Sequence, residues 1–154
     1  MCRFTGRNKF QEIVFGMYTH DCQKRVRYGE TDQMGYLYYG NYAQYYEIGR
    51  VEMMRALGFS YKEMEEQLGV MMPVMAMEIR YLRPIFYDEL VTIKTTLKEL
   101  PDREISFWVE IFNEAGKLAN GGKVKLCFVD IKSKKRVPAQ EHLLEKLHPY
   151  FETV

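Results

Sequence analysis

Four stretches of alternating residues in the second half of the chain constrain its fold more than anything else in it. Met75, Met77, Ile79 and Tyr81 alternate with Ala76, Glu78, Arg80 and Leu82, and Val91, Ile93, Thr95 and Leu97 alternate with Thr92, Lys94, Thr96 and Lys98. Ile105, Phe107, Val109 and Ile111 alternate with Ser106, Trp108, Glu110 and Phe112, and Val124, Leu126 and Phe128 with Lys123, Lys125 and Cys127. A period of two places each set on one face of a strand. The connections "RPIFYDE", "ELPDRE" and "NEAGK" carry turn residues and are too short for helical crossovers, so they predict antiparallel neighbours. One face of such a sheet is apolar and must be covered. The other carries Lys94, Lys98, Glu104, Glu110, Lys123 and Lys125 and is expected to meet solvent or a partner.

One upstream segment has the bulk to cover that face, a helix predicted over residues 41–57. Steps of 100° per residue put Tyr42, Tyr45, Tyr46, Gly49, Met53, Ala56 and Leu57 on one side and Gln44, Glu47, Arg50, Glu52 and Arg55 on the rest. Ile48, Val51 and Met54 interrupt the polar side, which predicts a helix largely enclosed by protein. Gly49 costs about 1 kcal/mol relative to Ala in mid-helix and suggests close approach of another backbone. Gly58 is a helix stop. Ser60 and Glu63 form a capping box that opens a second helix, running to about Leu68. A strand is expected over 22–28 and a last helix over 139–147, after Pro138. The whole predicts an α+β chain, an antiparallel sheet wrapped around one long central helix. Residues 1–18 lack periodicity and read as an N-terminal tail, leaving 19–154 as a single domain.

Bulk properties exclude several functions. A chain of 154 residues is one domain, and 47% apolar with 28% charged residues is a globular composition. A net charge of +1 draws the chain toward neither nucleic acid nor an anionic membrane. "KSKKR", residues 132–136, reads as a charged loop. The longest apolar run, 70–77, is far short of a membrane span. Three cysteines without CxxC spacing, and His20, His142 and His148 scattered along the chain, give no metal pattern. No metal or bound cofactor is therefore expected. The N-terminus has no signal-peptide core, so the expected location is the cytoplasm, with reduced thiols.

The chemistry is sought in "YGETDQMGYLYYGNYAQYYEIGR". An aspartate in a loop with glycines is commonly a turn residue, and on residue chemistry alone that is the first reading of Asp32. The block, however, resembles the signature of the hotdog-fold acyl-CoA thioesterases, specifically the 4-hydroxybenzoyl-CoA thioesterase family. That signature runs aspartate, two residues, glycine, an aromatic run, then Asn-Tyr opening the central helix. Asp32, Gly35, Tyr38, Tyr39, Asn41 and Tyr42 fill it in register, and the likeness extends from about Lys24 to Leu147.

The resemblance implies a hotdog fold and hydrolysis of an acyl-CoA thioester to a carboxylic acid and free coenzyme A, the coenzyme A thioester being substrate and not cofactor. It implies Asp32 as nucleophile or general base and the backbone N–H of Tyr39 as donor to the oxyanion. A helix N-terminus suits that role, with unpaired N–H groups and about half a positive charge. Gly40 would give the thioester access to the backbone, and Asn41 would cap the helix and fix the loop. Glu47 is a second candidate acid, with a helix-surface pair to Arg50 as its plainer role. Candidates for the coenzyme A phosphates are Arg83, Lys98, Arg103 and Lys123, and for the acyl pocket Tyr36, Tyr46 and Met72. Hotdog protomers join sheets edge to edge, so a homodimer or a tetramer of dimers with the site at the subunit interface is expected. An acyl-ACP thioesterase and a hotdog acyl-thioester binding module with little turnover are the alternative functions.

Overall fold

The computed structural model describes residues 16–151. In chain order these form β1 (Tyr18–Arg25), α1 (Tyr42–Ala56), α2 (Tyr61–Gln67), β2 (Val70–Met71), β3 (Val74–Tyr81), β4 (Leu90–Leu97), β5 (Glu104–Phe112), β6 (Leu118–Asp130), β7 (Arg136–Val137) and α3 (Glu141–Phe151). Single 3₁₀ turns at Tyr28–Glu30 and Tyr39–Asn41 bracket the loop between β1 and α1. Sheet order is β1-β4-β5-β6 with β3 on the outer side of β6, and every pairing is antiparallel. The short β2 and β7 extend the sheet at the far end of β6.

The period-two sets point inward as the alternation predicts. Val91, Ile93, Thr95 and Leu97 of β4 and Ile105, Phe107, Val109 and Ile111 of β5 are buried, with Ile93 opposite Ile111 and Phe107 opposite Val124 of β6. Complete burial of each Val, Ile, Leu or Phe among them contributes about 1.5–3 kcal/mol. Helix α1 lies on this face through Tyr42, Tyr45, Tyr46, Gly49, Met53 and Met54. This is the hotdog arrangement, a curved antiparallel sheet around one helix. A Cβ at Gly49 would stand 2.5 Å from Thr95 Oγ1 and 2.7 Å from Ile93 Cγ2. The close approach read from Gly49 is therefore to side chains of β4, not to a second backbone.

Four expectations are corrected. The first strand starts at Tyr18 and ends at Arg25, because its ladder runs from Tyr18 opposite Leu97 to Arg25 opposite Leu90 and the 3₁₀ turn then takes the chain out of the sheet. Of the tail assigned to 1–18, residues 1–15 lie outside the described residues, and Tyr18 packs its ring 4.5 Å from that of Tyr150 on α3. Strands β3 and β4 are antiparallel but not neighbours, since β3 pairs with β6. Residues 82–89 cross β6 and β5 at one end of the sheet, a span of about 15 Å that extended chain covers easily. Arg50, placed on the polar side of α1, is 8% exposed, because α2 folds over it and Tyr61 accepts a 2.9 Å hydrogen bond from its guanidinium. Ser60 caps α2, its Oγ accepting the Glu63 N–H at 3.1 Å, one of the two bonds of the expected capping box.

Candidate active site

The start of α1, the loop after β1 and the segment after β3 all meet at one end of the sheet. There they enclose a cleft of about 300 Å³ lined by Asp32, Tyr36, Tyr39, Tyr42, Tyr81 and Arg83, with Met34, Leu37, Leu82 and Pro84. Tyr42 and Tyr81 form one wall as an edge-to-face pair, ring centroids 5.1 Å apart. Burial pushes the Tyr42 phenol up to about 12, with Tyr81 and Glu89 adding to the shift. Tyr42 thus stays a neutral hydroxyl across the physiological range.

Asp32 is held by its own loop. Its N–H donates to the Tyr36 carbonyl at 2.9 Å, and its carbonyl accepts the Gly35 N–H at 2.9 Å. Its Oδ1 accepts the N–H groups of Met34 at 2.9 Å and Tyr36 at 3.2 Å. This is an Asx turn, and Gly35 completes it at φ +79°, a conformation that favours glycine. Among the described residues no hydrogen bond engages Oδ2. The turn reading and the cleft reading of Asp32 therefore both hold, one for each carboxylate oxygen.

Tyr39 opens the 3₁₀ turn that leads into α1, so its N–H has no acceptor within that turn. Its carbonyl accepts the Tyr81 hydroxyl at 3.1 Å. Gly40 leaves room for a neighbour different from the one expected, since a Cβ there would lie 2.6 Å from Cε1 of the Tyr38 ring. Asn41 fixes the loop but does not cap the helix. Its backbone is already helical, at φ −88° and ψ −9°, and its side chain makes no cap bond. Instead Asn41 Nδ2 donates to the Glu30 carbonyl at 2.8 Å.

Glu30, which the sequence did not single out, is the hub of this loop. Its carbonyl also accepts the Tyr38 N–H at 2.9 Å. Its carboxylate accepts the Arg27 N–H at 2.8 Å and the Tyr45 hydroxyl at 2.7 Å, and pairs with Lys24 Nζ at 2.8 Å. Burial alone would raise the Glu30 carboxyl, but the Arg27 N–H, Lys24 and Tyr45 together hold it below its ordinary value. The Tyr45 phenol is pushed up, first by burial and then by the carboxylate it serves. The ion pair and both side-chain bonds join β1, the loop and α1, so Glu30 locks this loop to the helix start.

The remaining candidates separate. Arg83 and Tyr36 line the cleft; Arg83 also donates to the Leu118 carbonyl at 2.6 Å. Tyr46 is fully buried behind the cleft. Lys98 and Lys123 lie on the outer sheet face, their Nζ atoms 3.9 Å and 5.0 Å from the Trp108 ring centre. Arg103 sits in the β4–β5 hairpin, donating to the Arg136 carbonyl at 3.3 Å, and Met72 is buried beside β2. Both are at the opposite end of the sheet, about seven strand residues or 23 Å away. Glu47 is exposed on α1 with no ion pair to Arg50 among the described residues. No group of three or more metal-ligating side chains occurs among the described residues, and no helix there is long and apolar enough to cross a membrane.

A sheet wrapped around one helix, with an aromatic cleft at the start of that helix, is the hotdog architecture, and Asp32 is the candidate group at the lip of the cleft. The model of the thioesterase-like superfamily matches residues 26–147, and the chain belongs to that family. It is 38% identical over 94 residues to YneP of Bacillus subtilis (strain 168), whose name provisionally assigns acyl-CoA thioesterase activity; the match covers 61% of this chain and 67% of YneP. It is 31% identical over 106 residues to the acyl-CoA thioester hydrolase YbgC of Escherichia coli O157:H7, covering 69% of this chain and 78% of YbgC. The crystal structure of DHNA-CoA thioesterase from Staphylococcus aureus superposes with a TM-score of 0.80 at 32% identity, covering 88% of this chain and 97% of that one.

Proposed function

We propose that the protein hydrolyses acyl-CoA thioesters to the free carboxylic acid and coenzyme A, with Asp32 as nucleophile or general base and the Tyr39 N–H as oxyanion donor. The observation that carries this is the division of labour in the Asp32 carboxylate. Two backbone N–H groups fix Oδ1 and aim the group, while Oδ2 is left for the thioester carbon or an attacking water. Carbonyl addition places negative charge on the thioester oxygen, and an unpaired N–H at a helix start is where such charge is stabilised. Tyr36, Leu37, Tyr42 and Leu82 supply an apolar wall for the acyl group. Arg83, at the cleft mouth, is the basic group within one protomer suited to a coenzyme A phosphate.

A second copy completes the binding surface in this reading. Strand β3 is an edge strand exposing Val74, Met75 and Tyr81. Antiparallel pairing of β3 with its counterpart would bring one protomer's cleft beside the partner's opposite sheet end, where Arg103 and Met72 lie. The reading places the enzyme in the cytoplasm, where Cys22 and Cys127 stay reduced.

The test is release of coenzyme A thiol from acetyl-, medium-chain, long-chain and aryl-CoA, and from acyl-ACP, by wild type and Asp32→Asn. Asparagine keeps the Asx acceptor, so the loop persists while the carboxylate is lost. The expected fall in kcat is about 10²-fold or more. Turnover that survives the substitution removes Asp32 from the chemistry, and no hydrolysis of any thioester leaves a binding module.

A further inference from the structure

We infer that Asn120, positioned by Tyr46, selects acyl groups that carry a hydrogen-bond-accepting oxygen. The inference rests on the thioesterase reading and names what its acyl pocket recognises. Asn120 is on the inward row of β6 with 0% exposure. Its Oδ1 accepts the Tyr46 hydroxyl at 2.5 Å, while its Nδ2 has no partner among the described residues. A buried donor left unpaired costs about 1–3 kcal/mol, and buried amides are normally satisfied. Among the described residues two other buried atoms lack partners, His20 Nδ1 and Thr95 Oγ1. Those sit on the inward rows of β1 and β4, away from the cleft.

Asn120 is not itself in the cleft lining but stands directly behind one of its walls. Its cross-strand partner on β3 is Tyr81, so their side chains leave the same face about 5 Å apart. Tyr81 is a cleft wall. Tyr46 lies one helical turn beyond Tyr42, the other half of that wall. Next inward on β6 stands Gly122, and any Cβ there would come 2.9 Å from the Tyr46 hydroxyl. The missing side chain is what lets Tyr46 reach Asn120. The partition between cleft and amide is the Tyr81 ring, which is 51% exposed and tied by its single 3.1 Å bond to the Tyr39 carbonyl. When that ring swings outward, an oxygen on the acyl group meets the Asn120 N–H at the floor of an otherwise apolar slot. A site that leaves a buried polar group unpaired with the wrong substrate discriminates more strongly than one that only fits shape.

The test measures kcat/KM of the full chain on matched pairs: 4-hydroxybenzoyl- and benzoyl-CoA, 1,4-dihydroxy-2-naphthoyl- and 2-naphthoyl-CoA, 3-hydroxybutyryl- and butyryl-CoA. The readout is the ratio within each pair, compared between wild type and Asn120→Leu, so differences in intrinsic reactivity cancel. In at least one pair the ratio falls about tenfold. Tyr46→Phe, which keeps the ring packing, lowers the same ratio by about threefold or more and decides the matter alone where Asn120→Leu does not fold. Ratios that match wild type in every pair overturn the inference and leave the amide a structural group. Hydrolysis of no pair by wild type removes the thioesterase reading itself, a separate and distinguishable result.

Discussion

Two adjacent glycines in β6 should respond oppositely to the same substitution. A Cβ at Gly122 would overlap the Glu78 carbonyl oxygen and stand 2.9 Å from the Tyr46 hydroxyl. The obstacle is backbone, so no rotamer change relieves it. Among the described residues β3 is held to the sheet by β6 alone, and the strain must be met by moving β3 outward or α1 off the sheet. Overpacking of this kind costs about 1–3 kcal/mol, and more where backbone must move. The gain from replacing a strand glycine by Ala is only about 0.5–1 kcal/mol, and an overlap with backbone puts the cost at or above the top of the overpacking range, so Gly122→Ala should lose about 2 kcal/mol or more. At this chain length that lowers Tm by about 4–8 °C. At Gly121 a Cβ would meet only the Val109 carbonyl oxygen, at 3.6 Å, an ordinary contact. Gly121→Ala should therefore melt within about 2 °C of wild type, or slightly above it. Thermal and urea unfolding at one matched protein concentration make the comparison. Equal losses in both variants, or a Gly122→Ala protein as stable as wild type, would refute the assigned packing of β3, β6 and Tyr46.

Glu30→Gln should be less stable than wild type at pH 7, and the gap should close in acid. The folded-state carboxyl is held low, so its stabilisation is complete above the unfolded value and is lost as pH falls through the folded one, below about pH 4; a gap that does not narrow there contradicts the Lys24–Glu30–Tyr45 linkage. Light scattering at micromolar concentration should show a dimer or tetramer, and a charged substitution on the exposed edge, Val74→Lys, should shift it toward monomer; a wild-type monomer ends the edge-pairing reading.

Periodicity carried most of the fold. The inward rows of β4 and β5 follow from alternation alone, because a sheet covered on one face tolerates no slip of register. Strand order did not follow, since a connection of eight residues permits β3 to cross to the far edge as readily as to turn back beside β4. The start of β6 was hidden for a related reason. Asn120, Gly121 and Gly122 look like turn residues, yet they continue a 13-residue strand, where Gly122 makes room for another backbone and Tyr46 fills the space above it. Glu30 was equally hidden, because its partners Lys24, Arg27, Asn41 and Tyr45 converge only after the loop has folded.

The loop explains why a turn residue and the reactive carboxylate proposed above are not competing descriptions of Asp32. A free carboxylate on a surface loop samples many rotamers and attacks poorly, since most of its orientations point away from any bound carbonyl. Accepting two backbone N–H groups at Oδ1 removes that freedom without burying the second oxygen. The cost of ordering the loop is offset elsewhere, by the Glu30 carboxylate on β1 and α1 and by Asn41 on the Glu30 carbonyl, all formed before substrate arrives. Gly35 supplies the left-handed residue that lets the N–H of Tyr36 return to Asp32. The loop is therefore ordered by its own backbone groups and by Glu30 and Asn41, without any contribution from substrate. On this account Asp32→Asn removes chemistry and keeps the loop, whereas Asp32→Ala removes both, and only the second should loosen the start of α1.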